Sequence, residues 1–160
     1  MKIQTEKLTI PLCFEILPLL DEAKEYAYEK ESSLYKKMIT DDKVKTNVDF
    51  DYYLYMQKHD KLHITTLRND ENELVGHFTL TISNHVQCTD LVVANTQNVI
   101  VSEKYRSYSI IKQMFKHTEE ELKKIGVEVI YLGVDHKSRI NKLFQKLGYK
   151  THEIIYTKEI

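Results

Sequence analysis

At 160 residues, 42% of them hydrophobic and 29% charged, the chain holds enough apolar material for one domain with a core, and a single domain is the expectation at this length. A formal net charge of −1 argues against a dedicated nucleic-acid binder, which carries a basic surplus. No apolar run approaches the ~18 residues of a membrane span, the start lacks a signal-peptide pattern, and Cys13 and Cys88 stand far apart without a CxxC, which leaves the cytoplasm as the default compartment.

Residues 1–12 alternate weakly, with Leu8, Ile10 and Leu12 on one side. They read as a first strand that Pro11 marks as an edge or an end. Pro18 suits the first residue of a helix, where its missing N–H costs nothing. Leu19, Leu20, Ala23, Tyr26 and Ala27 then form one stripe, which predicts a helix over 17–31. Residues 36–47, rich in Lys, Asp and Thr, read as the softest stretch. Asn47 or Asp49 would cap a second helix running to residue 60, although Tyr52, Tyr53 and Tyr55 also suit a strand.

Residues 62–67 and 73–83 alternate with period two around the polar turn Asn69, Asp70, Glu71 and Asn72, a hairpin signature. Gly76 inside the second strand predicts a bulge or a close backbone contact. Residues 91–94 would either continue a strand or lie in a loop. A short apolar strand over 98–101 follows, then a loop over 102–108. The clearest helix in the chain spans 109–125, with Ile110, Ile111, Met114, Phe115, Thr118, Leu122 and Ile125 on one face. Gly126 fits its left-handed cap. Residues 129–134 are nearly all apolar, as in a strand covered on both faces. The unit reads as strand, right-handed crossover helix, parallel strand. Ile140, Leu143, Phe144 and Leu147 predict a last helix that Gly148 ends, and 149–160 a final strand.

The start of the central helix is where the chemistry concentrates. A helix N-terminus offers free backbone N–H groups and about half a positive charge, which suits a phosphate or pyrophosphate. Lys104, Arg106, Ser107 and Ser109 surround it. Read from these residues alone, the stretch is either an anion cradle or a solvated loop whose serine caps the helix.

The segment Val101, Ser102, Glu103, Lys104, Tyr105 and Arg106 through Met114 resembles motif A of the GNAT acyltransferases: a strand, a short turn, then [Q/R]-x-x-G-x-[G/A] opening a helix. Arg106, Ser107, Tyr108, Ser109, Ile110 and Ile111 fall on the motif positions. Leu143, Phe144, Gln145, Lys146, Leu147, Gly148 and Tyr149 are similar to the family's L-Y-E-K-x-G-F ending. The resemblance covers about residues 62–156, and residues 94–101 with Tyr105, Arg106 and Tyr156 are similar to GNAT proteins carried by bacteriophages. It implies a single α/β (α+β) domain with a mixed, largely antiparallel central sheet flanked by helices. A β-α-β coenzyme A-binding core would lie within it, and the N-terminal helices would form a variable acceptor-binding region.

The same resemblance implies an N-acyltransferase with acetyl-CoA as co-substrate. The amides of Val99, Ile100 and Val101 would take the pantetheine arm, and residues 106–111 the pyrophosphate. The chain departs from the motif at Ser109 and Ile111, which replace glycines that let phosphate approach the backbone. It departs again at Phe144, where the family has a tyrosine that protonates the departing thiolate. A thiolate with a pKa of about 8.5 is a fair leaving group without that help. The attacking amine must be neutral, so a general base is expected. His136, His85 and Asp135 are the candidates, each with an ordinary surface or hydrogen-bonded role as the competing reading. The acceptor would be a small amine, an antibiotic, a peptide N-terminus or a protein lysine, and Tyr52, Tyr53 and Tyr55 would wall its pocket or simply pack on the sheet. No metal, nucleic acid or membrane partner is expected, and a homodimer through the final strand is compatible with the pattern. The alternative reading is a GNAT-shaped protein without catalysis that binds a partner protein.

Overall fold

Five strands form one sheet in chain order: β1 (Lys2–Thr5), β2 (Leu62–Arg68), β3 (Leu74–His85), β4 (Cys88–Val101) and β5 (Val129–Tyr131). The first four pair antiparallel with their sequence neighbours, and β5 joins β4 in parallel. The helices are α1 (Ile10–Lys30), α2 (Phe50–Lys58), α3 (Tyr108–Lys124) and α4 (Ile140–Lys146). This computed structural model describes residues 1–30, 48–133 and 140–153. The expected mixed, largely antiparallel sheet flanked by helices is the architecture found.

Both faces of the sheet are covered, which is why β2 is buried almost throughout despite its alternating sequence. On one face Phe78, Leu80 and Ile82 of β3 meet Met114, Phe115 and Leu122 of α3 and Phe144 of α4. Thr65 of β2 reaches Thr118 of α3 there, Oγ1 to Oγ1 at 2.7 Å. On the other face Ile64 packs against Leu12, Cys13 and Ile16 of α1, with Phe50, Tyr53 and Leu54 of α2 beside them. Fully burying each large apolar side chain contributes about 1.5–3 kcal/mol.

The N-terminus corrects the sequence reading. The strand ends at Thr5, and the helix starts at Ile10 rather than near residue 17. Thr9 caps it: its Oγ1 accepts from Leu12 N at 3.3 Å, and its carbonyl from Cys13 N at 2.9 Å. Pro11 therefore sits in the first turn, where no intrahelical donor is needed. Pro18 lies inside the helix. It leaves the Phe14 carbonyl without its i+4 donor, on an exposed face of the helix. In α2 the cap is Asp49, whose carboxylate accepts from Tyr52 N at 2.9 Å, so the tyrosine run is helical.

Gly76 does both things expected of it. The β2–β3 register slips beside it, leaving Val75 as the extra residue. A Cβ on Gly76 would stand 2.9 Å from the Ile100 carbonyl oxygen, closer than a real side chain allows. The Val75 carbonyl accepts from Ser102 N at 2.9 Å, which pins the end of β4. Residues 91–94 belong to β4, which runs unbroken from residue 88. The predicted strands 98–101 and 129–134 are the end of β4 and the three-residue β5. Gly126 and Gly148 close their helices at positive φ, 85° and 92°. Residues 149–153 form no strand. The rest of the expected final strand, with Tyr156, lies outside the described residues, as do the stretch 36–47 and the candidates Asp135 and His136.

Candidate functional site

The site is built on a defect in β4. Thr79 pairs with Asn98 and Leu80 with Thr96, so Gln97 is an extra residue that bulges the strand. β4 and β5 pair only from Val93–Val129 to Asn95–Tyr131. Thr96 Oγ1 donates to the Tyr131 carbonyl at 2.9 Å, and beyond that bridge β4 continues to Val101 with no β5 partner among the described residues. Val99, Ile100 and Val101 therefore lie along an opened strand edge, the geometry that offers backbone N–H and C=O groups to a ligand.

The chain then makes a single 3-10 turn, Glu103–Tyr105, before α3. Glu22 of α1 accepts from Glu103 N at 2.6 Å, and Asn69 Nδ2 donates to the Tyr105 hydroxyl at 3.4 Å. Two distant segments thus hold the turn in place. Arg106 folds back, its Nε donating to the Val101 carbonyl at 3.1 Å.

Ser107 is the N-cap of α3. Its Oγ accepts from Ile110 N at 3.3 Å, and its carbonyl from Ile111 N at 3.0 Å. The Ile111 amide is therefore spent inside the helix. Helix geometry leaves the amides of Tyr108 and Ser109 at the N-terminus without an intrahelical partner. The Ile111 side chain packs against the core of the α3 face, so it does not block those amides. The Ser109 hydroxyl accepts from Gln113 Nε2 at 3.1 Å. Lys146 of α4 brings its ammonium 5.8 Å from the Tyr108 ring centre. The motif reading gave Lys146 no role. These groups fit an anion at the helix start: two aligned amides, a favourable dipole and a nearby cation.

Phe144 is buried in an aromatic cluster, 5.3 Å from the Phe115 ring and 5.7 Å from that of Tyr149. Its ring is core rather than cleft wall. Tyr149 donates to Glu119 at 2.6 Å, and burial with that carboxylate holds its phenol well above the usual range. His85 sits at the turn between β3 and β4, its Nδ1 accepting from Gln87 N at 3.3 Å. It lies six positions along β3 from Thr79, roughly 20 Å of strand. The structure therefore does not bring His85 to the opened edge.

A cleft opens on the α1–α2 face beside the bulge, with about 20 Å³ of free volume, enough for one water-sized group. Ile16 and Leu20 of α1, Phe50 and Tyr53 of α2 and Ile64 of β2 supply its apolar wall. Of the tyrosine cluster only Tyr53 lines it; Tyr52 and Tyr55 are exposed. His77, Thr79 and Asn98 supply polar groups. His77 is 1% exposed, and burial lowers its pKa to about 4, so it is neutral. Its Nδ1 lies 3.0 Å from Thr79 Oγ1. Its Nε2 has no hydrogen-bond partner among the described residues. The signal in sequence was the polar side of β3, with His77, Thr79 and Thr81 alternating inside an otherwise apolar strand. Among the described residues no group of three or more His, Cys, Asp or Glu is placed to hold a metal, and no helix is long and apolar enough to cross a membrane.

The family model for the acetyltransferase (GNAT) family matches residues 19–149. The chain belongs to the GNAT family. A comparison with curated proteins finds no match. Among solved structures, a tetramutant of the BH1408 protein from Bacillus halodurans is similar over 100% of both chains, with 13% identity and a TM-score of 0.77. A ribosomal-protein-alanine N-acetyltransferase from Brucella melitensis biovar Abortus 2308 is similar over 100% of both chains, at 15% identity and TM-score 0.67. A glucosamine-6-phosphate N-acetyltransferase from Arabidopsis thaliana is similar over 99% of each, at 13% and 0.68. These likenesses support the GNAT fold described above.

Proposed function

We propose that this GNAT protein transfers an acetyl group from acetyl-CoA to the nitrogen of an amine. The observation that carries the reading is the bulge at Gln97, which opens the edge of β4 directly before a capped helix start. The amides along Val99, Ile100 and Val101 would take the pantetheine arm. Those of Tyr108 and Ser109, with Lys146 and the turn at Arg106 and Ser107, would take the pyrophosphate. Ile110 and Ile111 would act by anchoring the helix start to the core.

The amine lone pair attacks the thioester carbonyl, the C–N bond forms, and the C–S bond breaks as the thiolate leaves with its electron pair. Phe144 donates no proton, so the thiolate leaves on its own acidity, with a pKa of about 8.5. The surplus proton on nitrogen leaves to a base through water. His136 and Asp135 stay candidates for that base, whereas His85 lies too far along β3 to serve without a large shift. The two neighbours named for their acceptors differ, one ribosomal-protein alanine and the other glucosamine-6-phosphate, so the fold by itself carries no acceptor.

Calorimetry with acetyl-CoA tests the reading. Micromolar binding with thiol release on adding an amine is the expected result. No binding at millimolar coenzyme would overturn it and leave a scaffold that binds another protein.

A further inference from the structure

The hairpin of β3 and β4 runs on past both of its neighbours. β2 pairs with β3 only as far as Thr81, and β5 with β4 only from Val93. The arm left over ends in a two-residue turn, Val86 and Gln87, closed by His85 and Cys88 as directly opposed partners. Asn84 Nδ2 donates to the Thr89 carbonyl at 2.6 Å and braces the turn. Residues 86–90 are exposed, and Cys88 is a free thiol. Opposed residues of an antiparallel pair point to the same face, with Cβ atoms about 4.5–5.5 Å apart. A tetrahedral zinc ion holds a sulfur at about 2.3 Å and an imidazole nitrogen at about 2.0–2.1 Å, which sets the two ligand atoms roughly 3.6 Å apart, within reach of such a pair. Gln87 N donates to His85 Nδ1 at 3.3 Å, so in the neutral ring that nitrogen carries a lone pair. The contact is long, and a cation can displace it.

We propose that His85 and Cys88 form half of a metal site, that it takes a divalent cation of the zinc class, and that the same pair from a second copy of the chain completes it. The ligand chemistry selects the ion: imidazole with thiolate suits zinc, whereas magnesium and calcium take oxygen ligands. Two ligands are half of a tetrahedral set, and among the described residues no third His, Cys, Asp or Glu joins them. A second copy supplies the missing half, because the pair stands at the exposed end of an arm. The charges agree with that count. Each thiol gives one proton to solvent as its sulfur binds, so two thiolates and two neutral imidazoles leave the bound ion without net charge. Asp90 is the only charged residue between Asn84 and Leu91, so no fixed cation on the arm opposes the ion. Val86, 93% exposed, would be covered as the two tips meet. The pair lies far along β3 from the opened edge of β4, so the inference stands apart from the transferase reading.

The test is a cobalt(II) titration of the full chain in a non-thiol reductant, read by absorption and by sedimentation velocity. The expected result is a thiolate-to-cobalt charge-transfer band that saturates at one ion per two chains, a dimer that forms with it, and loss of the band when zinc is added. Cys88→Ser should abolish the band, and His85→Ala should weaken ion binding at least tenfold. Neither change should move the melting temperature of the metal-free chain, since the turn lies outside the core. Absence of the band overturns the inference, as does a band that survives Cys88→Ser or one ion per chain on a monomer. Should a variant fail to fold, the stoichiometry and dimer formation of the wild type decide. Acetyl-CoA affinity should stay within twofold with and without the ion.

Discussion

At the scale of single residues, the backbone carries more of the candidate site than the side chains do. Gly76 lets β3 approach the Ile100 carbonyl, and a methyl group there would meet that oxygen at 2.9 Å and Val101 Cγ2 at 3.2 Å. Gly76→Ala should destabilise the fold by about 1–3 kcal/mol, the usual cost of forcing atoms into a packed site. It should also weaken coenzyme binding, because the shift falls on the β4 edge. Urea melts and calorimetry on the same variant check both. Ser107→Ala should cost about 1 kcal/mol through the lost cap, read as a lower melting temperature. The orphaned Nε2 of His77 was beyond reach from residue types. A histidine inside a strand says nothing of which helices cover it.

At the scale of elements, local period decided what was legible. α3 alternates at three and four residues with no competing pattern, and its start, cap and C-terminal glycine follow from the sequence. The hairpin of β2 and β3 was readable for the same reason. The N-terminus was not. Leu8, Ile10 and Leu12 mimic an alternating strand, yet Ile10 is 60% exposed while Leu8, Leu12, Cys13 and Ile16 are buried at helical spacing. Pro18 hid that continuity because its ring faces outward, where an interior proline is least disruptive. The opened edge of β4 was expected from family resemblance alone. Its cause, the bulge at Gln97, is a matter of register with β3, which no local pattern encodes. The cleft needs α1, α2, β2, β3 and β4 together, so it lies further still from any single stretch of sequence.

At the scale of the whole molecule, three groups set the response to acid. Burial lowers the pKa of both His63 and His77 to about 4. Below pH ~6.5 the unfolded chain binds protons that these native histidines refuse, so stability falls from pH 6.5 to 4, by roughly 3 kcal/mol for each. Glu6 follows later. Its hydrogen bond to Arg68, within an ion-pair network that also includes Glu15, holds its pKa at about 2. That contribution is full above pH ~4.5 and is lost as pH falls toward 2. Denaturant midpoints at pH 7.5, 5 and 3.5 should fall in steps, and His63→Gln should flatten the first.

The contact between Glu22 and the amide of Glu103 has a consequence for kinetics. α1 contributes Ile16 and Leu20 to the cleft beside the bulge and, two residues on from Leu20, accepts a hydrogen bond from the turn that leads to α3. One helix thus packs in the core and also holds the turn before α3, so releasing its grip should loosen the start of α3. Glu22→Ala should free that turn and, if α3 holds the pyrophosphate as proposed, speed acetyl-CoA release several-fold. Stopped-flow dissociation of acetyl-CoA from the variant and from the wild type would read the difference.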